Sequence, residues 1–102
     1  AAAKHAVVGF TRSLALEVAT KGVTVNAVCP GYVDTDLMTA NVERVMAKTG
    51  RSRDEALAVF TGSNPQGRLI APEEVADTVL WLAGDNAASV NGQAIAISGG
   101  EA

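Results

Sequence analysis

The stretch that decides the fold is Val23-Thr24-Val25-Asn26-Ala27-Val28-Cys29-Pro30-Gly31-Tyr32-Val33-Asp34-Thr35. Its first half is nearly continuous in apolar and β-branched residues, the composition of a strand covered on both faces in a parallel sheet. Pro30 removes a ladder donor, and Gly31 admits the close approach of another backbone or a ligand, so the strand is expected to stop there. In open α/β sheets ligands lie just beyond the carboxyl ends of the strands. Residues 30–35 are therefore the first candidates for a ligand-facing loop.

Upstream, Ala1-Ala2-Ala3 runs straight into a helical pattern with no capping residue before it. Val7, Phe10, Leu14 and Val18 form an apolar stripe at helical spacing, and Ala6, Gly9 and Ser13 a strip of small residues. The spacing predicts a helix to about Thr20, stopped by Lys21-Gly22. A helix uncapped at its start and apolar on more than one side reads as part of a larger body.

Downstream, residues 32–71 form a connection too long to be structureless in a compact domain unless it is functional. Met38, Val42, Val45 and Met46 predict one short helix ended by Gly50. Ser52-Arg53-Asp54-Glu55 is a capping box opening a second, which carries Leu57 and Phe60. The polar turn 62–67 follows. Pro72 with Glu73 and Glu74 opens a helix expected over 72–83. Asn91-Gly92 is a turn, residues 93–98 read as a second buried strand, and Gly99-Gly100 closes it. A helix between two strands makes them parallel, with a right-handed crossover. The first helix then runs antiparallel to the strand it feeds. Lys4, Pro30-Gly31 and Ser98-Gly99-Gly100 are thereby expected on one edge, with residues 36–71 as a lid over it.

The totals restrict the function classes. A chain of 102 residues, 48% hydrophobic, is one small α/β domain or part of one, and its composition is that of a globular chain. The net charge of −3 is dispersed and leaves no basic patch, which argues against nucleic acid as a partner. No apolar run approaches membrane-spanning length. Cys29 is the only cysteine, so an internal disulfide or a cysteine-based zinc site is excluded; the cytoplasm is the expected compartment. His5 is the only histidine, and His5 with Cys29 lacks metal-ligand spacing, so no metal is expected.

Four segments, in this order and spacing, carry a resemblance: Ala1–Glu17, Val23–Thr35, Gly67–Ala76 and Gly92–Gly100. Together they resemble the carboxy-terminal part of a short-chain dehydrogenase/reductase. The resemblance implies the last part of a Rossmann-like, doubly wound parallel sheet: helix, strand, helical lid, helix, strand. It also implies NAD or NADP as cofactor and hydride transfer to or from a carbonyl or secondary alcohol, with 3-oxoacyl or similar hydrophobic ketones favoured. Lys4 matches the lysine of the family's Tyr-x-x-x-Lys motif. It would hold the nicotinamide ribose and lower the pKa of the phenol, whose tyrosine would stand just before Ala1. Tyr32, the only tyrosine present, is followed four residues later by Asp36 and does not fit the motif. Pro30, Gly31, Tyr32, Val33 and Thr35 match the loop along the nicotinamide, with the Val33 backbone at the carboxamide. Leu37, Met38, Val42, Met46 and Phe60 form the substrate lid in this reading, or else plain helix packing. Ser98 departs from the family, where aspartate is more usual. A homotetramer is implied through helices 4–20 and 72–83 with strand 93–98, with Trp81 exposed in it. Residues 1–102 by themselves are expected to be inactive. A non-catalytic relative serving as an interaction subunit is the alternative.

Overall fold

The computed structural model describes residues 2–101, and the order of elements is the one expected. Helix α1 (Ala2–Val18) passes into a 3-10 turn over Ala19–Lys21, which Gly22 ends in the left-handed region at φ 73°. Strand β1 is Ala27–Pro30; α2 is Asp36–Thr49, α3 Arg53–Thr61, α4 Pro72–Leu82, and β2 is Ala94–Ile97. A second 3-10 turn, Asp85–Ala87, is an addition that the sequence did not announce.

The chain divides into two compact units, Ala1–Cys29 with Ala76–Ala96, and Pro30–Val75 with Ile97–Ala102. β1 and β2 are hydrogen-bonded neighbours, and both strands run through this division. In the first unit the Ala27 N–H donates to the Gln93 carbonyl at 2.8 Å; in the second the Gly31 N–H donates to that of Ile97 at 2.9 Å. Both partners advance together along the chain, which is the register of a parallel pair.

In the first unit, β1 is shorter than its β-branched run. Val25 donates its N–H to the Asn91 side chain at 2.9 Å, and Asn26 Nδ2 donates to the Val90 carbonyl at 2.9 Å. Side-chain amides thus share the pairing over Val25–Asn26 with one backbone bond, from the Gly92 N–H to the Val25 carbonyl at 2.8 Å, and the assigned strand begins only at Ala27. The expected stripe on α1 is also corrected. Val7 and Phe10 are exposed at 53% and 67%, whereas the residues buried on α1 are Thr11 and Ala15. Thr11 and Ala15 pack inward while the strip of Ala6, Gly9 and Ser13 is exposed, and the Thr11 hydroxyl is satisfied by the Val7 carbonyl at 2.7 Å.

In the second unit, α2 and α3 pack through Met38, Val42 and Ala56, with Val45, Met46, Leu57, Phe60 and Leu69 around them. At 14 residues, α2 is longer than the short helix expected. Its ends are fixed: Thr35 caps the start, and Gly50, at φ 71°, returns its N–H to the Met46 carbonyl. The capping box of α3 is complete in both directions, Ser52 Oγ to the Glu55 N–H and Glu55 Oε1 to the Ser52 N–H.

Candidate functional site

Within the second unit the ladder opens just past Pro30. The Gly31 N–H still reaches Ile97, but β2 then ends and the backbone turns through Gly99 and Gly100, both at positive φ. On the other side of the loop lies Ile70, 1% exposed and bridged in parallel to Val33. The Ile70 N–H donates to the Tyr32 carbonyl at 2.8 Å, and its carbonyl accepts from the Asp34 N–H at 2.9 Å. Peptide groups alternate in direction along an extended chain. Since residues 32 and 34 face Ile70, the Val33 N–H and C=O face the opposite side, where β2 has ended. Among the described residues nothing pairs with the Val33 N–H, and its carbonyl takes only a long 3.5 Å contact from the Thr35 hydroxyl. One peptide edge, donor and acceptor side by side, is left open.

Each expected residue has a definite place. Pro30 ends β1, and Gly31 lies beside Ser98, where an added Cβ would meet the Ser98 Cα at 3.5 Å, an ordinary contact. Pro30-Gly31 and Ser98-Gly99-Gly100 therefore do come together. Lys4 sits exposed on the first turn of α1, in the other unit. Thr35 is occupied locally: its hydroxyl accepts the Met38 N–H at 3.3 Å as the cap of α2. Tyr32 is half exposed and meets Phe60 edge-on, ring centroids 5.3 Å apart at 80°. Met38 and Val42 face the helix pair's core. A cavity of about 190 Å³ there is lined by both, with Asp34, Thr39, Leu57 and Leu69 among the rest. Leu37, Met46 and Phe60 do not line it, and Leu37 is 69% exposed. A larger cavity of about 600 Å³ in the first unit, between Gly22, Thr24, Leu82 and Asp85, includes none of the expected residues. Among the described residues no cluster of His, Cys, Asp and Glu could hold a metal ion.

Sequence reading missed two groups that build the loop's far wall. Asn64, 8% exposed, accepts the Gln66 N–H at 2.7 Å and donates to the Arg68 carbonyl at 2.8 Å, while lying against Gly99. Arg68 forks onto Glu74, with both nitrogen–oxygen distances 2.9 Å, and Glu74 also accepts the Ala71 N–H at 2.7 Å. The guanidinium's hydrogen bonds, then the Ala71 N–H, hold the Glu74 carboxyl down at about 2. The signal was there: a glutamate at the third position of a helix commonly reaches back to the cap. Its arginine partner, six residues upstream, has no such rule.

A parallel strand pair joined through helices is part of a Rossmann-type fold. The chain belongs to the short-chain dehydrogenase/reductase family: residues 1–101 match the family model described as Enoyl-(Acyl carrier protein) reductase. A short chain dehydrogenase family protein from Francisella tularensis superposes with a TM-score of 0.88 at 38% identity, over 96% of this chain and 40% of that one. The actinorhodin polyketide ketoreductase F189W, solved with NADPH, gives 0.83 at 45% identity, over 97% and 38%. The 3-oxoacyl-[acyl-carrier-protein] reductase FabG of Vibrio harveyi is 41% identical over 100 residues, 98% of this chain and 36% of its own length. The chain thus spans less than two-fifths of the length of curated relatives it matches.

Proposed function

We propose that this chain is the nicotinamide- and substrate-facing part of an NAD(P)-dependent oxidoreductase that reduces a carbonyl, or oxidises the corresponding secondary alcohol. The observation that carries the reading is the open Val33 peptide at the carboxyl end of the strand pair. A primary carboxamide presents one acceptor and one donor pair, and Val33 offers the matching donor and acceptor on one edge. When bound, the dihydronicotinamide ring would supply the hydride in reduction, and the oxidised nicotinamide ring would accept it in oxidation. Lys4 contributes a cation on a first helical turn, where it would hold ribose hydroxyls and favour the ionised form of a nearby phenol. The phenol acts as acid in reduction and as base in oxidation. Residues 1–102 hold no Tyr-x-x-x-Lys, so by themselves they are expected to give no turnover.

The substrate we favour is a 3-oxoacyl thioester or a similar hydrophobic ketone, in keeping with the ketoreductase relatives. Leu37, exposed on α2, would meet it, while Met38, Val42, Met46 and Phe60 support that surface from behind. Closure of residues 36–71 over cofactor and substrate is part of this reading, and it requires greater hydrogen-exchange protection there when cofactor is bound. A cytoplasmic, self-associating enzyme is the setting we infer; among the described residues no helix is long and apolar enough to cross a membrane.

The test uses the full-length protein with NADH and NADPH against a panel of ketones, 3-oxoacyl thioesters and an enoyl thioester. Oxidation of one cofactor with a 3-oxo substrate, lost in Lys4→Ala, is expected. Turnover of the enoyl thioester alone would move the reaction from a carbonyl to a carbon–carbon double bond. Absence of both binding and turnover would return the chain to the class of non-catalytic relatives.

A further inference from the structure

We propose that Glu74 is a positioning residue for the loop that carries Val33, acting through a short strap, residues 68–71. The proposal rests on the function above only for what Val33 faces. The strap is tied at both ends to one carboxylate. At its start, Arg68 presents Nη1 and Nη2 to the two oxygens of Glu74, each at 2.9 Å. At its end, the Ala71 N–H donates to Glu74 Oε2 at 2.7 Å. Between these ties lies Ile70, the largest fully buried side chain. Both of its peptide groups are used on the loop, at Tyr32 and at Asp34. Nothing else among the described residues makes a backbone hydrogen bond to the Tyr32 carbonyl or the Asp34 N–H.

Helix capping alone does not account for this arrangement. A cap needs only the Ala71 N–H, which a neutral amide oxygen would also accept. The forked arginine adds a second, geometrically demanding tie to the far end of the strap, and a planar bidentate pair fixes direction as well as distance. Arg68 is further steered by the Leu69 carbonyl at 3.0 Å and Gln66 Oε1 at 3.2 Å. Loosening that tie lets Ile70 shift relative to Tyr32 and Asp34, and the Val33 peptide turns with them. A shift of an ångström in a group that orients a reacting ring is costly.

The experiment compares wild type, Glu74→Gln and Arg68→Lys in the full-length protein. Glu74→Gln keeps an acceptor for Ala71 and removes the ionic fork; Arg68→Lys keeps the charge and removes the fork. Affinities are measured for NADH and NADPH, and for ADP-ribose and its 2′-phosphate, which lack the nicotinamide. Exchange of the Asp34 amide is followed without cofactor. The expected result is about tenfold weaker binding of the reduced dinucleotides in both variants, with the nicotinamide-free probes unchanged. Asp34 exchange should rise about tenfold in both. Equal losses on both kinds of probe would mean a global effect and overturn the proposal, as would unchanged Asp34 exchange. Should the wild type bind no dinucleotide, the reading of function fails, and Asp34 exchange alone then decides whether Glu74 holds the loop.

Discussion

At the scale of single residues, this chain uses glycine and asparagine where space or backbone direction leaves no alternative. Gly99 lies at φ 68°, and a side chain there would overlap the carboxamide of Asn64. Asn64 has no freedom to withdraw, since both ends of its amide are hydrogen-bonded and the residue is buried. Gly50 shares the left-handed conformation, φ 71°, but has open space around it. Gly50→Ala should therefore lose only the conformational term, about 1–2 kcal/mol. Gly99→Ala adds overpacking of about 1–3 kcal/mol to the same term, for a total of about 2–5. Urea midpoints of the two variants measure the contrast; equal shifts would mean that Asn64 does not press on Gly99. Glu74 supplies a second prediction. Its carboxyl is lowered from 4.5 to about 2 on folding, so its contribution is present above pH 4.5 and is lost as pH falls toward 2. The stability gap between wild type and Glu74→Gln should be constant from pH 8 to 5 and close below that, as followed by urea unfolding at each pH. A gap that persists at pH 2 would show that charge is not what the glutamine removes.

At the scale of elements, legibility follows how local the deciding interaction is. The box from Ser52 to Glu55 and the Gly50 stop were readable because each is closed within four residues, and both are found as read. Removing the Ser52 hydroxyl leaves the Glu55 N–H of an exposed helix start unsatisfied. Ser52→Ala should cost about 1 kcal/mol, visible as lower helicity at intermediate urea, with Ser52→Asp restoring it. No change in Ser52→Ala would show that packing on α2, not the cap, fixes where α3 begins. The start of β1 was not readable, because its pairing over Val25–Asn26 mixes side-chain and backbone bonds to Val90, Asn91 and Gly92, more than sixty positions away. A side-chain amide taking a ladder position leaves no periodic trace. The α1 stripe misled for a related reason. Periodicity identifies an apolar face, but Thr11 and Ala15 fill the tighter contact, and the larger Val7 and Phe10 are left exposed. At the site, the open edge of Val33 was implied by family resemblance. The strap of residues 68–71, tied to Glu74, lies in a loop whose order only the folded chain makes plain.

At the scale of the whole molecule, exposed apolar surface is the feature on which the proposed self-association can be tested. Phe10 and Leu16 on α1 stand 67% and 81% exposed, and Leu80 and Trp81 on α4 70% and 48%. Isolated exposed hydrophobics are ordinary, but four large ones on two helices of one small unit are more than scattered exposure accounts for. Tryptophan is also the residue most enriched among those that dominate binding energy at interfaces. The second unit has its own exposed leucine, Leu37, on the helix read as a substrate lid. The two surfaces therefore make opposite predictions in the full-length protein. Trp81→Ala should lower the mass measured by light scattering as the protein is diluted, with a shift in the association midpoint of about tenfold or more. Leu37→Ala should leave that mass unchanged and raise KM for a hydrophobic ketone. If Trp81→Ala keeps the same mass over the whole dilution series, the α4 surface is not where copies of this chain meet. If Leu37→Ala is the variant that dissociates, the assignments of lid and interface must be exchanged.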